Sequence, residues 1–341
     1  AKAVMAYFLH LYKTNMQKRG GEGMRIVDMH CDTLLECYLK DKRLRKNDLS
    51  VDLETMKKNR TLGQFFAIFL PLGRDAEEAG LDMDPYSLFL KISEVYKREI
   101  EANSDLIRPA LSYDDVIANR EEGKMSSILT VEDGQLLDGR LERLEELYER
   151  GVRLLTLTWN YENCIGYPNS REAEKHRLGL KPFGIETVER MNRLGMIVDV
   201  SHLSEGGFYD VAEHSDKPFV ASHSCARALC DHPRNLTDDQ LKRIAQAGGV
   251  AGVNFNASFL REQSTKTFVD DIVGHIKYMI SVMGDEHVAL GSDFDGIDCR
   301  LEVENYDFYG EVVCRLEKIF PQKTVEKICY ANVLRVLKDC L

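Results

Sequence analysis

Eight short apolar runs, separated by segments of helical periodicity, are the feature that most constrains the fold of this chain. Each run has five to seven residues and is rich in β-branched or aromatic side chains, which is typical of a buried strand. The runs lie at residues 25–29, 64–70, 126–131, 153–159, 196–201, 218–222, 249–255 and 287–292. Between them, segments such as 268–280 repeat apolar residues at the spacing of one helical face.

This alternation predicts an α/β fold, specifically a (β/α)8 TIM barrel, because parallel strands joined by helices require right-handed crossovers. The alternative is an open doubly wound sheet. No Gly-x-Gly-x-x-Gly follows the first run, which removes the usual nucleotide-binding form of that alternative. Residues 24–341 contain no internal repeat, low-complexity tract or linker, so we expect one catalytic domain.

Two connections are longer than a single helix requires. The first, residues 71–124, has room for helices near 84–103 and 113–122. The second, residues 160–183, is rich in glycine and proline. We expect it to form a loop over the carboxyl end of the barrel, where a functional site would lie. A helix start is clearest at Thr237, where Gln240 follows at the spacing of a capping box.

Charge and composition exclude several classes of function. The chain has 45 Lys and Arg against 56 Asp and Glu, so its net charge of −11 gives it no electrostatic drive toward nucleic acid or anionic membranes. Its nine cysteines form no CxxC pair, which fits reduced thiols and a cytoplasmic location. No apolar run approaches the roughly 20 residues of a membrane span.

Residues 1–23 are mixed and basic, and most of their basic residues follow the apolar part instead of preceding it. This order, without a small-residue cleavage site, argues against a signal peptide. We expect an N-terminal extension, with the native domain beginning near Met24.

Metal-competent side chains follow five of the eight runs. Residues i and i+2 of a strand point to the same side, and barrel enzymes carry their chemistry at the carboxyl ends of the strands. Three imidazoles and three carboxylates exceed the needs of one tetrahedral zinc and suit two metals about 3.5 to 4 Å apart, bridged by a carboxylate. The six side chains are those of His30, Asp32, Glu132, His202, His223 and Asp293.

These motifs together resemble the membrane dipeptidase (renal dipeptidase) family of zinc peptidases. The likeness extends from about Met24 to beyond Gly296, and it implies a barrel of the metal-dependent hydrolase type with two zinc ions. Such an enzyme cleaves dipeptides, including those with a C-terminal D-residue, through a zinc-bridging hydroxide. The motifs are the His-x-Asp after the first run, Glu-Asp-Gly at 132–134, Asp-Val-Ser-His at 199–202, Ser-His-Ser at 222–224, Arg-Asn-Leu at 234–236 and Gly-Ser-Asp-Phe-Asp-Gly at 291–296.

The resemblance also implies the division of the metal ligands. His30 and Asp32 would hold one zinc ion, and His202 and His223 would hold the other. Glu132 would bridge the two ions.

The substrate side of the resemblance has one departure. Asp293 would act as the acid and base near the bridging water, and Arg234 would bind the substrate carboxylate. Mammalian members place a histidine after the fourth strand, where this chain has Trp159. Either Trp159 or Asn160 takes its place in substrate binding, or His176 enters from the following loop.

A different amide or lactone hydrolase on the same binuclear barrel is the main alternative. Such enzymes are expected to carry His-x-His after the first strand and a bridging lysine after the fourth, whereas this chain has His-x-Asp and Glu132. A non-catalytic metal-binding protein would be indicated by a missing ligand, and none is missing. We expect small dipeptides as partners and leave a homodimer open. The chain resembles bacterial cytosolic members more than the secreted, lipid-anchored mammalian ones.

Overall fold

The computed structural model describes residues 24–341, so the extension expected for residues 1–23 lies outside the described part of the chain. A parallel sheet forms the centre of the molecule, and helices surround it. In chain order the strands are β1 (Ile26–Asp28), β2 (Thr61–Phe69), β3 (Ile107–Pro109), β4 (Met125–Glu132), β5 (Val152–Thr156), β6 (Ile197–Asp199), β7 (Ala251–Val253), β8 (Lys266–Thr267), β9 (Val288–Leu290) and β10 (Arg300–Leu301).

Seven strands pair in the order β6-β5-β4-β2-β1-β9-β7. The run at 218–222 closes the gap between β6 and β7 through single bridges instead of a continuous ladder. The carbonyl of Val220 accepts a hydrogen bond from the Val200 amide (2.8 Å), and the carbonyl of Ala221 accepts one from Gly252 (2.8 Å). Eight strand positions therefore form a ring, which confirms the predicted (β/α)8 barrel.

Helices connect the strands on the outside of this ring. The predicted helices near 84–103 and 113–122 are confirmed within one residue at each end, and the capping box at Thr237 forms with Gln240. The α-helices are Thr33–Leu39, Leu53–Lys58, Gly73–Glu78, Pro85–Ala102, Tyr113–Glu121, Glu142–Glu149, Ala173–His176, Pro182–Leu194, Glu205–His214, Asp238–Gln246, Ala257–Leu260, Val269–Met283, Phe308–Ile319, Gln322–Glu326 and Asn332–Cys340. Single 3-10 turns lie at Gly134–Leu137 and Asn305–Asp307, and a π-turn lies at Lys327–Ala331.

Four predicted strands end two or three residues earlier than their apolar runs. The runs ending at residues 159, 201, 255 and 292 leave the sheet after Thr156, Asp199, Val253 and Leu290. The short strands β3, β8 and β10 were not predicted, because two or three residues carry no recognisable alternation. The residues of these runs that lie beyond the strands form turns at the carboxyl end of the barrel.

The opposite end of the barrel is closed by the last helix, Asn332–Cys340. Its residues Val333, Val336 and Leu337 pack with alternate strand residues such as Val27 and Ile128 in one buried cluster. Apolar side chains fill this end, whereas the cavity lined by Asp32, Glu132 and Arg234 opens at the carboxyl end of the strands. No helix within residues 24–341 is long and apolar enough to span a membrane.

Candidate metal centre

The six metal-competent residues predicted from the strand ends converge at the carboxyl end of the barrel. Each is 8% exposed or less, although a buried charged side chain is costly unless it is paired. Their ligand atoms form compact groups within 4.8 Å. Two of these groups share one carboxylate: His30, Asp32 and Glu132 in the first, and Glu132, His202 and His223 in the second.

Glu132 lies between the two halves of this cluster. Its Oε2 is 3.4 Å from Nε2 of His30, whereas its Oε1 is 3.0 Å from Nε2 of His202 and 3.5 Å from Nε2 of His223. Asp32 completes the first half, with Oδ1 at 3.5 Å from Nε2 of His30. The two oxygens of one carboxylate therefore face two different sets of side chains.

The backbone at two of these residues is in an unusual conformation. His202 has φ of 68° and Asp293 has φ of 63°. Non-glycine residues rarely adopt positive φ, and such strain persists only where the surrounding structure holds it. In both cases the chain turns sharply after its strand, which directs the side chain toward the barrel axis.

Hydrogen bonds behind the cluster orient the two imidazoles of the second half. Nδ1 of His202 lies 3.1 Å from Oδ1 of Asn160. Ser222 donates its hydroxyl proton to Asp199 (2.5 Å), so its oxygen accepts from Nδ1 of His223 (2.7 Å). Both contacts leave Nε2 unprotonated and facing Glu132, the arrangement in which metal-binding histidines are usually held.

Burial and the nearby histidines shift the pKa values of the acidic groups in opposite directions. Burial raises the pKa of Asp32 to about 8 and that of Asp293 to about 6, even though His30 opposes both shifts. At Glu132, burial is outweighed by His30 and His202, which lower the pKa of the carboxyl. Burial also lowers the pKa of His223, which favours its neutral form. Neutral imidazoles beside crowded carboxylates are suitable ligands for cations.

The donor set fits zinc. Both ring nitrogens of His30, Oδ1 of Asp32 and Oε1 of Glu132 are buried without a hydrogen-bond partner among the described residues. Unpartnered buried polar atoms are rare in folded proteins. Imidazole nitrogens and carboxylate oxygens are ordinary zinc ligands, so a metal at the cluster would satisfy Nε2 of His30 and the two carboxylate oxygens.

A cavity of about 250 Å³ opens above the cluster. Arg234, Asp293, Trp159 and Asn160 all line it, as the sequence analysis expected of substrate-binding residues, and His176 does not. The guanidinium of Arg234 is buried beside the cluster, with Nη2 donating to the His223 carbonyl (3.4 Å) and Nε without a hydrogen-bond partner among the described residues.

Several residues of the site were not found from the sequence. Asn254 donates to Oδ2 of Asp293 (2.8 Å), and it is the first residue after β7, a position that the predicted run 249–255 includes in the strand. A Cβ on Gly296 would lie 2.0 Å from Oδ2 of Asp32, so any other residue there would displace a carboxylate of the cluster. The rings of Phe69 and Phe259, which line the cavity, gave no signal distinct from ordinary core residues.

Comparison with known proteins connects this site to one family. The family model for membrane dipeptidases (peptidase family M19) matches residues 18–340. An uncharacterized protein of Klebsiella pneumoniae, from the pqqA 5' region, is 37% identical over 266 residues, covering 75% of this chain and 97% of that protein. An uncharacterized dipeptidase of Schizosaccharomyces pombe, C965.12, is 34% identical over 333 residues, covering 92% of this chain and 80% of that protein.

A solved structure shares the fold. The crystal structure of a metallopeptidase from Rhodobacter sphaeroides, bound to a phosphinate mimic of the dipeptide L-Ala-D-Ala, matches with a TM-score of 0.84 and 26% identity. The match covers 94% of this chain and 100% of that chain. With a barrel, a buried cluster of metal-competent side chains and a family match over nearly its whole length, this chain belongs to the membrane dipeptidase family of metallopeptidases, peptidase family M19.

Proposed function

We propose that this metallodipeptidase hydrolyses dipeptides at a centre of two zinc ions, and that its substrates include dipeptides with a D-residue at the second position. The observation that carries the proposal is the division of the Glu132 carboxylate between two sets of side chains, at 3.4 Å from His30 and 3.0 Å from His202. A carboxylate shared in this way is the usual bridge of a binuclear site.

In this proposal His30 and Asp32 hold one ion, and His202 and His223 hold the other. When bound there, the two ions would make hydroxide available at neutral pH and polarise the scissile carbonyl. Asn160 and Ser222 hold the imidazoles of the second pair in the tautomer that leaves Nε2 free. The protein thus contributes a preorganised set of ligands.

We assign proton transfer to Asp293. Asn254 fixes its Oδ2 at 2.8 Å, while its Oδ1 faces His30 at 3.9 Å and borders the cavity. A carboxylate in this position can take the proton of the attacking water and return it to the leaving amine, which departs readily only when protonated. Burial raises the pKa of Asp293 to about 6, which brings it nearer to the working range of a general acid.

We assign the substrate carboxylate to Arg234. A guanidinium offers a planar pair of donors that matches a carboxylate in bidentate geometry. Arg234 is 6% exposed, yet it forms no ion pair with a side chain among the described residues, and its Nε is unpartnered. A free C-terminal carboxylate next to the scissile bond would neutralise this cation and restrict the enzyme to very short peptides.

Acceptance of a D-residue is supported by the Rhodobacter sphaeroides relative, which was crystallised with a mimic of L-Ala-D-Ala. Because Arg234 would hold the carboxylate and not the side chain of the second residue, recognition at this end does not by itself select one configuration.

A panel of dipeptides tests the proposal. L-Ala-L-Ala and L-Ala-D-Ala, each with its C-terminal amide, would be assayed with zinc and with a chelator. We expect chelator-sensitive cleavage of both free dipeptides, and a kcat/KM at least about 100-fold lower for the amides, because they leave Arg234 buried without its counter-ion. Cleavage of lactones or other amides in place of dipeptides would favour the alternative hydrolase.

A further inference from the structure

Two aromatic rings form one wall of the cavity above the metal cluster. Phe69 is the last residue of β2, and Trp159 lies three residues beyond the end of β5. Both line the cavity, and their ring centroids are 4.7 Å apart at an interplanar angle of 59°. We call these two residues the aromatic wall. Their two side chains present apolar ring surface to the cavity and carry no charge.

Other side chains pack against the face of the aromatic wall that points away from the cavity. Tyr161 packs on Trp159 with its centroid at 6.0 Å, and its hydroxyl donates to Asp75 (2.7 Å). A Cβ at Gly73 would lie 3.3 Å from the Tyr161 ring, so the helix Gly73–Glu78 packs closely on that face. The wall is therefore a preformed surface.

The strand order places this wall and Arg234 on different sides of the cavity. β2 and β5 are the two neighbours of β4, and β4 lies four positions from β7 in the ring of eight. Arg234 follows the run at 218–222, and its guanidinium lies 5.4 Å from the ring centroid of Phe259, which follows β7. The cavity thus has Arg234 on the side of β7 and the aromatic wall on the side of β2 and β5.

We propose that the aromatic wall contacts the side chain of the substrate's first residue, and that the enzyme prefers dipeptides whose first residue is apolar or aromatic. This inference rests on the proposed function, because it takes Arg234 as the site of the C-terminal carboxylate. With the carboxylate at Arg234 and the scissile bond at the cluster, the first residue extends toward β2 and β5. A charged side chain there would lose hydration against two rings without gaining a counter-ion.

The experiment measures kcat/KM for Leu-Ala, Phe-Ala, Gly-Ala and Asp-Ala, together with a matching series that varies the second residue. We expect the wild type to favour Leu or Phe over Gly at the first position by about 10-fold to 100-fold, the range that apolar contacts give in enzyme specificity. Trp159→Ala should reduce that ratio by about 10-fold. Trp159→Phe should retain most of it, because the ring surface is largely kept.

Phe259→Ala is the matched control at the other end of the cavity, and we expect it to alter selectivity for the second residue instead. A ratio of rates does not depend on the fraction of folded enzyme. Phe69→Leu provides a second test of the wall, with the same expected direction, should Trp159→Ala not fold.

The outcomes separate the two proposals. Absence of chelator-sensitive cleavage of every dipeptide would overturn the proposed function. Cleavage with a first-residue preference that Trp159→Ala leaves unchanged would overturn only the aromatic wall. If Trp159→Ala changed only the selectivity for the second residue, the aromatic wall would also be overturned as the site of the first residue. The substrate would then bind with its second residue against Trp159.

Discussion

Nδ1 of His202 lies 3.1 Å from Oδ1 of Asn160, and the same imidazole turns its Nε2 toward Glu132 at 3.0 Å. One side chain beyond the end of β5 thus fixes the orientation of another beyond the end of β6. Asn160 is one of the substrate-binding candidates predicted from the sequence, and it lines the cavity. Its contact with His202 gives it a second role, that of a positioning residue.

Asn160→Ala should therefore weaken metal binding. Partners of metal-bound histidines typically contribute about 10-fold to 100-fold in affinity or activity, and we expect a loss in this range for zinc affinity measured by competition with a chelator. Asn160→Asp keeps an oxygen acceptor and is the matched control. Equal affinities for wild type and Asn160→Ala would show that His202 does not need this contact.

Asp293→Asn should separate catalysis from metal binding. The amide cannot accept the proton of the attacking water, so we expect kcat to fall by about 100-fold to 10,000-fold while the metal content stays unchanged. Asp295→Asn is a suitable control, because that carboxylate accepts from Thr33 and Ser50. Loss of metal from Asp293→Asn would instead assign the residue as a ligand.

Gly296→Ala tests how closely the cluster is packed. Its Cβ would lie 2.0 Å from Oδ2 of Asp32 and 2.6 Å from Oδ1 of Asp293, so at least one carboxylate must move. A displacement of about 1 Å at a catalytic group can cost roughly 100-fold in rate, and we expect a loss of that order in kcat/KM. Gly274→Ala adds its methyl within the helix Val269–Met283, where nothing lies within 4 Å. It should keep wild-type activity, and an equal loss in both variants would exclude a local effect.

His275 should make the fold sensitive to acid. Its Nδ1 accepts a hydrogen bond from the Ala226 amide (3.1 Å), so Nε2 carries the proton and donates to the Leu260 carbonyl (3.0 Å). Burial lowers the pKa of His275 below its ordinary value of 6.5. The unfolded chain then binds the extra proton first, and stability is lost as the pH falls below about 6.5.

The measurement for His275 is the free energy of unfolding in denaturant, at pH 7.5 and pH 5, on chelator-treated wild type and His275→Gln. Chelation removes any contribution from metal release. We expect the advantage of the wild type over the variant to shrink at the lower pH. A constant difference between the two proteins would show that His275 titrates alike in the folded and unfolded states.

Most of the site could be predicted from the sequence by locating the polar residues that follow each apolar run. Apolar runs located the strands to within a few residues, and the carboxyl ends of parallel strands meet at one edge of a barrel. His30, Glu132 and His223 could thus be grouped although they are far apart in the chain. Asn254 follows the same rule and was missed because its run was extended beyond Val253.

Other features could not be read from the sequence. The positive φ of His202 and Asp293 results from the turns that the folded barrel imposes. Asp and His adopt positive φ more often than most residues, but the residue type alone does not predict which of them will do so. The guanidinium of Arg234 lies beside the ring of Phe259, which comes from a different loop. Phe69 and Trp159 pack together although they are 90 positions apart in the chain. These contacts are set by tertiary packing and not by local pattern.

The most direct test of the account is the zinc content at which dipeptide hydrolysis returns. Chelated protein would be titrated with zinc while bound metal and L-Ala-D-Ala cleavage are followed together. We predict that activity reaches its plateau at about two zinc ions per chain, and that Glu132→Gln, which weakens the shared carboxylate, fails to reach that plateau. Full activity with one ion per chain, or with none, would contradict a binuclear centre bridged by Glu132.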